Sequence, residues 1–159
     1  MAGADNRGPS RGQFVDSPVA GLSYKTPTRS GVTDADGRFE YRAGENVEFS
    51  LGNTVLGEAD GKARITPFDL VSLDTVPVGM REIGRALWRD PNRALIRVVN
   101  ITIFLQTLDR DGDPANGIEI TPAVAALFDN VSVDLTGDFW LFYQQPAFRG
   151  ALLQANNAL

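Results

Sequence analysis

Apolar and polar positions alternate with a period of two through most of the first 66 residues. Arg38-Phe39-Glu40-Tyr41-Arg42 alternates strictly, which on a strand places Phe39 and Tyr41 on one face. Asn46 to Leu51 repeats the pattern with Val47, Phe49 and Leu51, and Gln13 to Asp16, Val19 to Lys25, Thr54 to Leu56 and Arg64-Ile65 extend it. Turn-forming residues separate these runs: Ser30-Gly31, Asp34-Ala35-Asp36-Gly37, Ala43-Gly44-Glu45-Asn46, Leu51-Gly52-Asn53 and Ala59-Asp60-Gly61-Lys62. Short strands at this spacing predict an antiparallel β-sandwich or small barrel over residues 13–70. Residues 1–12 are polar and Gly/Pro-rich, and read as a flexible leader.

The period changes after Ile65. Thr66-Pro67-Phe68-Asp69-Leu70 sets a capping residue before a proline, a helix-start signal. Val76 to Gly79 reads as a loop, and Met80 to Arg89 as a short helix interrupted by Gly84. Asp90 as N-cap and Pro91 in the first turn predict a second helix running to about Leu108. Its later part is apolar nearly all round (Val98, Val99, Ile101, Ile103, Phe104, Leu105, Leu108), the mark of a buried central helix. Asn100 lies in that stretch. Left bare it would cost roughly 1–3 kcal/mol, so its expected task is to satisfy a neighbouring loop. Further on, the pattern predicts a helix over Pro122 to Phe128, a strand over Val131 to Leu135, and helical pieces over Phe139 to Gln144 and Ala147 to Asn156. Trp88, Trp140, Phe139, Phe142 and Tyr143 are the aromatic supply of this half, and the run Phe139-Trp140-Leu141-Phe142-Tyr143 forms either core or a docking patch, with core favoured. The fold class expected is α+β, with the N-terminal β lobe packed on a C-terminal helical lobe over residues 71–159.

A chain of 159 residues suits one compact domain or two interdependent lobes. The 15 Lys and Arg against 20 Asp and Glu give a net charge of -5. That balance argues against nucleic acid and anionic membranes as general partners. With 0 His and 0 Cys, there can be no Ser-His-Asp triad, thiol nucleophile, thiolate or imidazole zinc site, disulfide or histidine switch. No run approaches the roughly 20 apolar residues of a transmembrane helix. Lys25 and Lys62 are the only lysines, so any cationic surface is built from Arg. Arg81, Arg85, Arg89, Arg93 and Arg97 recur every fourth residue. They predict a solvated face or a seam paired with acids of the β half, with a polyanion site as the alternative.

The sharpest local motif is Asp109-Arg110-Asp111-Gly112-Asp113-Pro114-Ala115-Asn116-Gly117-Ile118-Glu119-Ile120. Alternate carboxylates in a tight loop can converge on one cation, and Ca²⁺ takes six to eight oxygens. The motif departs from an EF-hand at Pro114, where that loop has Gly, and at Ile120, where it has a bidentate Glu. Asp109, Asp111, Asp113, Asn116 and Glu119 are therefore the candidate ligands of a weak calcium site. The competing reading is a turn in which Asp and Asn bond local amides. Asp34 and Asp36 could form a catalytic carboxylate pair, but Thr33-Asp34-Ala35-Asp36-Gly37 reads first as a hairpin turn.

A family resemblance runs through several words in one order. They include Gln13 to Tyr24, Ser30 to Tyr41, Gly44 to Gly52, Val55-Leu56-Gly57, Thr66 to Leu70, Val99-Asn100-Ile101, Phe104 to Asp109 and Asp111 to Ile118. Together they resemble the N-terminal domain of poorly characterised surface and periplasmic lipoproteins of Gram-negative bacteria. The Gly31-x-Thr33-Asp34-x-x-Gly37-x-Phe39 portion also resembles carboxypeptidase-regulatory or prealbumin-like sandwiches. The resemblance implies export to the periplasm or outer surface, and a noncatalytic role in protein–protein or cell-surface contact. Members usually start from a lipidated Cys before a Gly/Ser-rich spacer. This chain has no Cys, so either the anchor has been removed or this member is unanchored. Two other classes stay open: a self-assembling filament or adhesin subunit donating its N-terminal β segment, and a carboxylate-based hydrolase.

Overall fold

The computed structural model describes residues 8–71, 77–89, 93–138, 141 and 144–158. The first half is built of short strands: β1 (Ser10–Phe14), β2 (Val19–Ala20), β3 (Ser23–Lys25), β4 (Ser30–Val32), β5 (Arg38–Tyr41), β6 (Asn46–Leu51), β7 (Thr54–Asp60) and β8 (Arg64–Ile65). The second half holds α1 (Met80–Arg89), α2 (Ala94–Thr107), β9 (Ile118–Glu119), α3 (Pro122–Ala126) and α4 (Pro146–Ala158). The fold is α+β, as expected. Its strands form three sheets, ordered β5-β1-β8, β4-β3-β6-β7 and β2-β9. Among the described residues none of them closes into a barrel.

The period-two alternation sets which side chains are buried. Phe39 and Tyr41 of β5, and Val47, Phe49 and Leu51 of β6, all point into the core. The rings of Phe14, Phe39 and Phe49 meet there, with centroids 4.7 Å apart for Phe14–Phe49 and 5.2 Å for Phe39–Phe49. Strand β1 starts at Ser10, so residues 10–12 are not leader. They pair antiparallel with β5 (Gly12 opposite Phe39), and Gly12 is required because a Cβ would stand 2.4 Å from the Lys62 carbonyl and from the Phe39 ring. Strand β4 occupies a stretch expected to be a turn. Gly31 lies mid-strand because the Tyr24 ring packs against its backbone. The Asp34–Gly37 segment is a turn but not a hairpin: it carries the chain from β4 in one sheet to β5 in another.

Helix α2 is the spine of the second half. Leu95, Val98, Ile101, Phe104 and Leu105 are buried, and its core is continuous with Phe14, Phe49 and Leu56 of the β half. The boundary at residue 70 is therefore bridged by one hydrophobic core. Asp90 and Pro91 lie outside the described residues; the helix proper starts at Ala94, because Arg93 has a φ of 53°, outside right-handed helix. Thr66 to Leu70 forms only a 3-10 turn, in which Asp69 accepts from the Thr66 backbone N–H at 2.7 Å and from its hydroxyl at 3.0 Å. Residues 131–135 are not a strand. Val133 and Leu135 are buried in alternation, but side chains replace the ladder. The Thr54 hydroxyl donates to the Val131 carbonyl and accepts from the Val133 N–H, and the Asn100 amide donates to the carbonyls of Leu135 and Gly137. Asn100 thus satisfies a neighbouring loop. Of the expected aromatic patch, Phe139, Trp140, Phe142 and Tyr143 lie outside the described residues, whereas Trp88 is exposed.

Candidate functional site

The two halves are stitched by the parallel pairing of β2 with β9, Val19 opposite Ile118 and Ala20 opposite Glu119. The Ile118 N–H donates to the Pro18 carbonyl at 2.8 Å and the Ile120 N–H to that of Ala20 at 3.0 Å. Gly21 makes the approach possible: its φ is +86°, and a Cβ there would stand 2.0 Å from the Ile120 carbonyl oxygen. The Ser17 hydroxyl adds a bond to the Pro114 carbonyl. This seam holds the Asp-rich loop beside the β4–β5 turn and α3. Between them lies a cleft of about 910 Å³.

The charged side chains lining the cleft are Asp34, Asp109, Asp111, Glu119 and Asp129; no basic side chain lines it among the described residues. Thr33, Ser23 and Asn116 add polar groups. Asp109 is only 7% exposed. Its Oδ1 accepts from the Glu119 N–H at 2.9 Å, while its Oδ2 is buried without a hydrogen-bond partner. The Asp109 carboxyl also interacts with that of Asp111. Asp111 is exposed. The Asn116 side-chain amide, donating at 2.8 Å, together with the Asp113 N–H at 3.0 Å, holds its carboxyl below the usual carboxylate range.

The structure gathers four of the five expected ligands. Asp109, Asp111, Asn116 and Glu119 face the cleft. Asp113 does not: its Oδ1 accepts from the Ala115 N–H at 3.1 Å and caps the 3-10 turn Pro114–Asn116. Pro114 at the first position of that turn fixes Asp113 as its cap, so the three alternate carboxylates do not all converge. Among the described residues no three acidic side chains form a ready-made metal cage. Glu119 also pairs with Arg110 across 3.4 Å at the exposed rim.

Asp34 and Asp129 reach the cleft from elements remote in sequence. The Asp34 carboxylate holds its own turn, accepting from the Asp36 N–H at 3.0 Å and the Arg38 N–H at 2.9 Å, and Asp36 pairs with Arg38. No local word announces Asp129; it arrives because α3 ends beside the β6–β7 turn. Asp16 was not singled out either. Burial pushes its carboxyl above the usual range, against an opposing bond from Gln106, and its Oδ2 is buried without a partner.

The arginine series divides. Arg93 pairs with Asp138, and Arg97 donates to the Leu56 carbonyl at 2.8 Å. Arg81, Arg85 and Arg89 are exposed and have no carboxylate partner among the described residues, so of the two expected arrangements they form the solvated face and not the seam with acids of the β half. No family model, curated protein or solved structure matches the chain in comparisons of sequence and fold. No helix among the described residues is long and apolar enough to cross a membrane.

Proposed function

We propose that this chain is a noncatalytic, exported domain of a Gram-negative bacterial surface or periplasmic protein, acting by contact with a protein partner through its acidic cleft. The observation that carries the reading is the pairing of a lining whose charged residues are all acidic with the buried Oδ2 of Asp109, which has no hydrogen-bond partner. Such an oxygen costs free energy until a cation or a donor reaches it. In the same reading Ca²⁺ stabilises the loop through Asp109, Asp111, Asn116 and Glu119, drawing its remaining oxygens from water and backbone. The lipoprotein resemblance supports export, and the facing Phe14, Phe39 and Phe49 support a sandwich-like β half.

Two alternatives rank lower. Strand donation would have to open β1, which already lies between β5 and β8, and β2, which is paired with β9. A carboxylate hydrolase would have to free Asp34 and Asp111 from the backbone turns that they hold.

Thermal melts in excess EDTA and in millimolar calcium test the metal. Saturation a hundredfold above the dissociation constant adds about 2.7 kcal/mol. At this chain length that is a rise of about 5–10 °C in the melting midpoint. Asp111→Ala should abolish the increment and keep the fold. Superimposable curves for the wild type would remove calcium from the reading.

A further inference from the structure

We propose that the acidic cleft receives helix α1 of a second copy of this chain. The inference rests on the cleft reading above and names its occupant. Helix α1 has no buried residue. Arg81, Arg85 and Arg89 stand one turn apart along it, roughly 6 Å per step, with Glu82 the helix's single acid. None of the three guanidinium groups pairs with a carboxylate among the described residues. Trp88 lies three residues after Arg85 and seven after Arg81, so it shares their face. It is 72% exposed, and Met80 at the start of the helix is 86% exposed. An exposed tryptophan flanked by unpaired arginines has the composition of an interface hot spot.

The cleft supplies the opposite charge. Asp34, Asp109, Asp111, Glu119 and Asp129 line it, Asp109 buried and the other four exposed; no basic residue lines it among the described residues, although Glu119 pairs with Arg110 beside it. Bidentate arginine is the donor that best fits Asp34 and Asp129, which lie outside the calcium set, and at Asp111 and Glu119 it competes with Ca²⁺. A copy does not fill its own cleft. Helix α1 leads into the N-terminal end of α2, whereas the Asp-rich loop follows the C-terminal end, about 21 Å away along 14 residues. Each copy carries the same net charge of -5, so the attraction is local to the two patches and works against an overall repulsion between the copies. The contact joins two different patches, so it closes as a reciprocal pair or a ring, or propagates as a chain.

Sedimentation velocity and light scattering over a concentration series at low ionic strength test the proposal. The wild type should associate, with an apparent dissociation constant weakened about tenfold or more in several-hundred-millimolar salt. Arg81→Glu/Arg85→Glu/Arg89→Glu should stay monomeric, as should the cleft variant Glu119→Lys/Asp129→Lys. All five changes are at exposed positions, and circular dichroism verifies the fold. Mixing the two variants should restore association, because one keeps the cleft and the other keeps the helix. Trp88→Ala should weaken association without reversing any charge. A wild type that remains monomeric, a helix variant that keeps the wild-type oligomer, or a mixture that stays monomeric overturns the inference. Retention of the calcium-dependent melting shift by a monomeric wild type would leave the cleft reading standing and overturn only the second copy. Arginine-dependent binding to phosphatidylglycerol vesicles without self-association would assign α1 to a membrane surface, and also overturns it.

Discussion

Asn100 ties the helical spine to a segment that has no ladder of its own, and its removal has a calculable effect. The side chain is fully buried, with its Nδ2 donating to the Leu135 carbonyl at 2.7 Å and the Gly137 carbonyl at 2.8 Å. Asn100→Ala deletes both bonds. Each is worth about 1 kcal/mol net, and the stranded Leu135 carbonyl adds about 1–2 kcal/mol. One gain offsets part of this, since the Asn100 Oδ1 is itself buried without a partner and disappears with the side chain. The expected loss is about 2–3 kcal/mol, or roughly 4–12 °C in melting midpoint for a chain of this size. Asn100→Asp at neutral pH should be worse than Ala, because a carboxylate then faces two carbonyls with no proton to donate. Urea titration with circular dichroism measures the stability, and amide exchange locates the loosening. The Val133 N–H, whose segment loses its ties at Leu135 and Gly137 while its own bond to Thr54 remains, should exchange faster than that of Phe49 in the β core. If the Ala variant stays within about 0.5 kcal/mol of wild type, or Asp is as stable as Ala, the amide is not what holds residues 131–137 and the reasoning fails.

Gly52→Ala should destabilise by about 2 kcal/mol or more, because φ is +55° there and the new Cβ would stand 2.0 Å from the Phe128 carbonyl oxygen, which is backbone and cannot swing away. A urea midpoint equal to wild type would show that the β6–β7 turn does not dock on the end of α3. Asp16 gives a pH prediction. Burial raises its folded pKa above the ordinary carboxylate value, so the stability linked to its protonated form is complete below that ordinary value and is lost as pH rises through the raised one. Asp16→Asn should therefore be more stable than wild type at pH 7, with the gap closing as pH falls below the ordinary carboxylate value. Melts at pH 3 and pH 7 giving the same gap would refute it.

Local pattern decided much of the fold. The alternation in Arg38–Tyr41 and Asn46–Leu51 fixed the buried face of each strand, since a strand has one side for every second residue. The apolar girth of Ala94 to Leu108 marked a helix that had to be central, and helix α1 was readable to its ends. The same local logic identified the Asp-rich loop and Asn100 as polar groups that needed partners. Strand β4 was hidden, because Gly31 in isolation signals a turn and only the Tyr24 ring packed against it explains a glycine in a strand. Residues 131–135 misled in the other direction: their alternation reports burial, which they share with a strand, while Thr54 and Asn100 supply the hydrogen bonds.

Tertiary structure alone decided the site. Asp109, Asp111 and Glu119 meet Asp34 because β2 pairs with β9 across about a hundred residues of chain, and Asp129 joins them where α3 ends beside the β6–β7 turn; no spacing rule encodes contacts of that range. It also decided which arginines find a partner among the described residues. Their four-residue period is the same from Arg81 to Arg97, but Arg93 and Arg97 fall where Asp138 and the Leu56 carbonyl can reach them, whereas Arg81, Arg85 and Arg89 stand on the exposed side of a helix whose other side, with Ile83, Ala86 and Leu87, is half-buried. Periodicity places side chains on their own element; which groups from distant elements arrive opposite them depends on how the core packs.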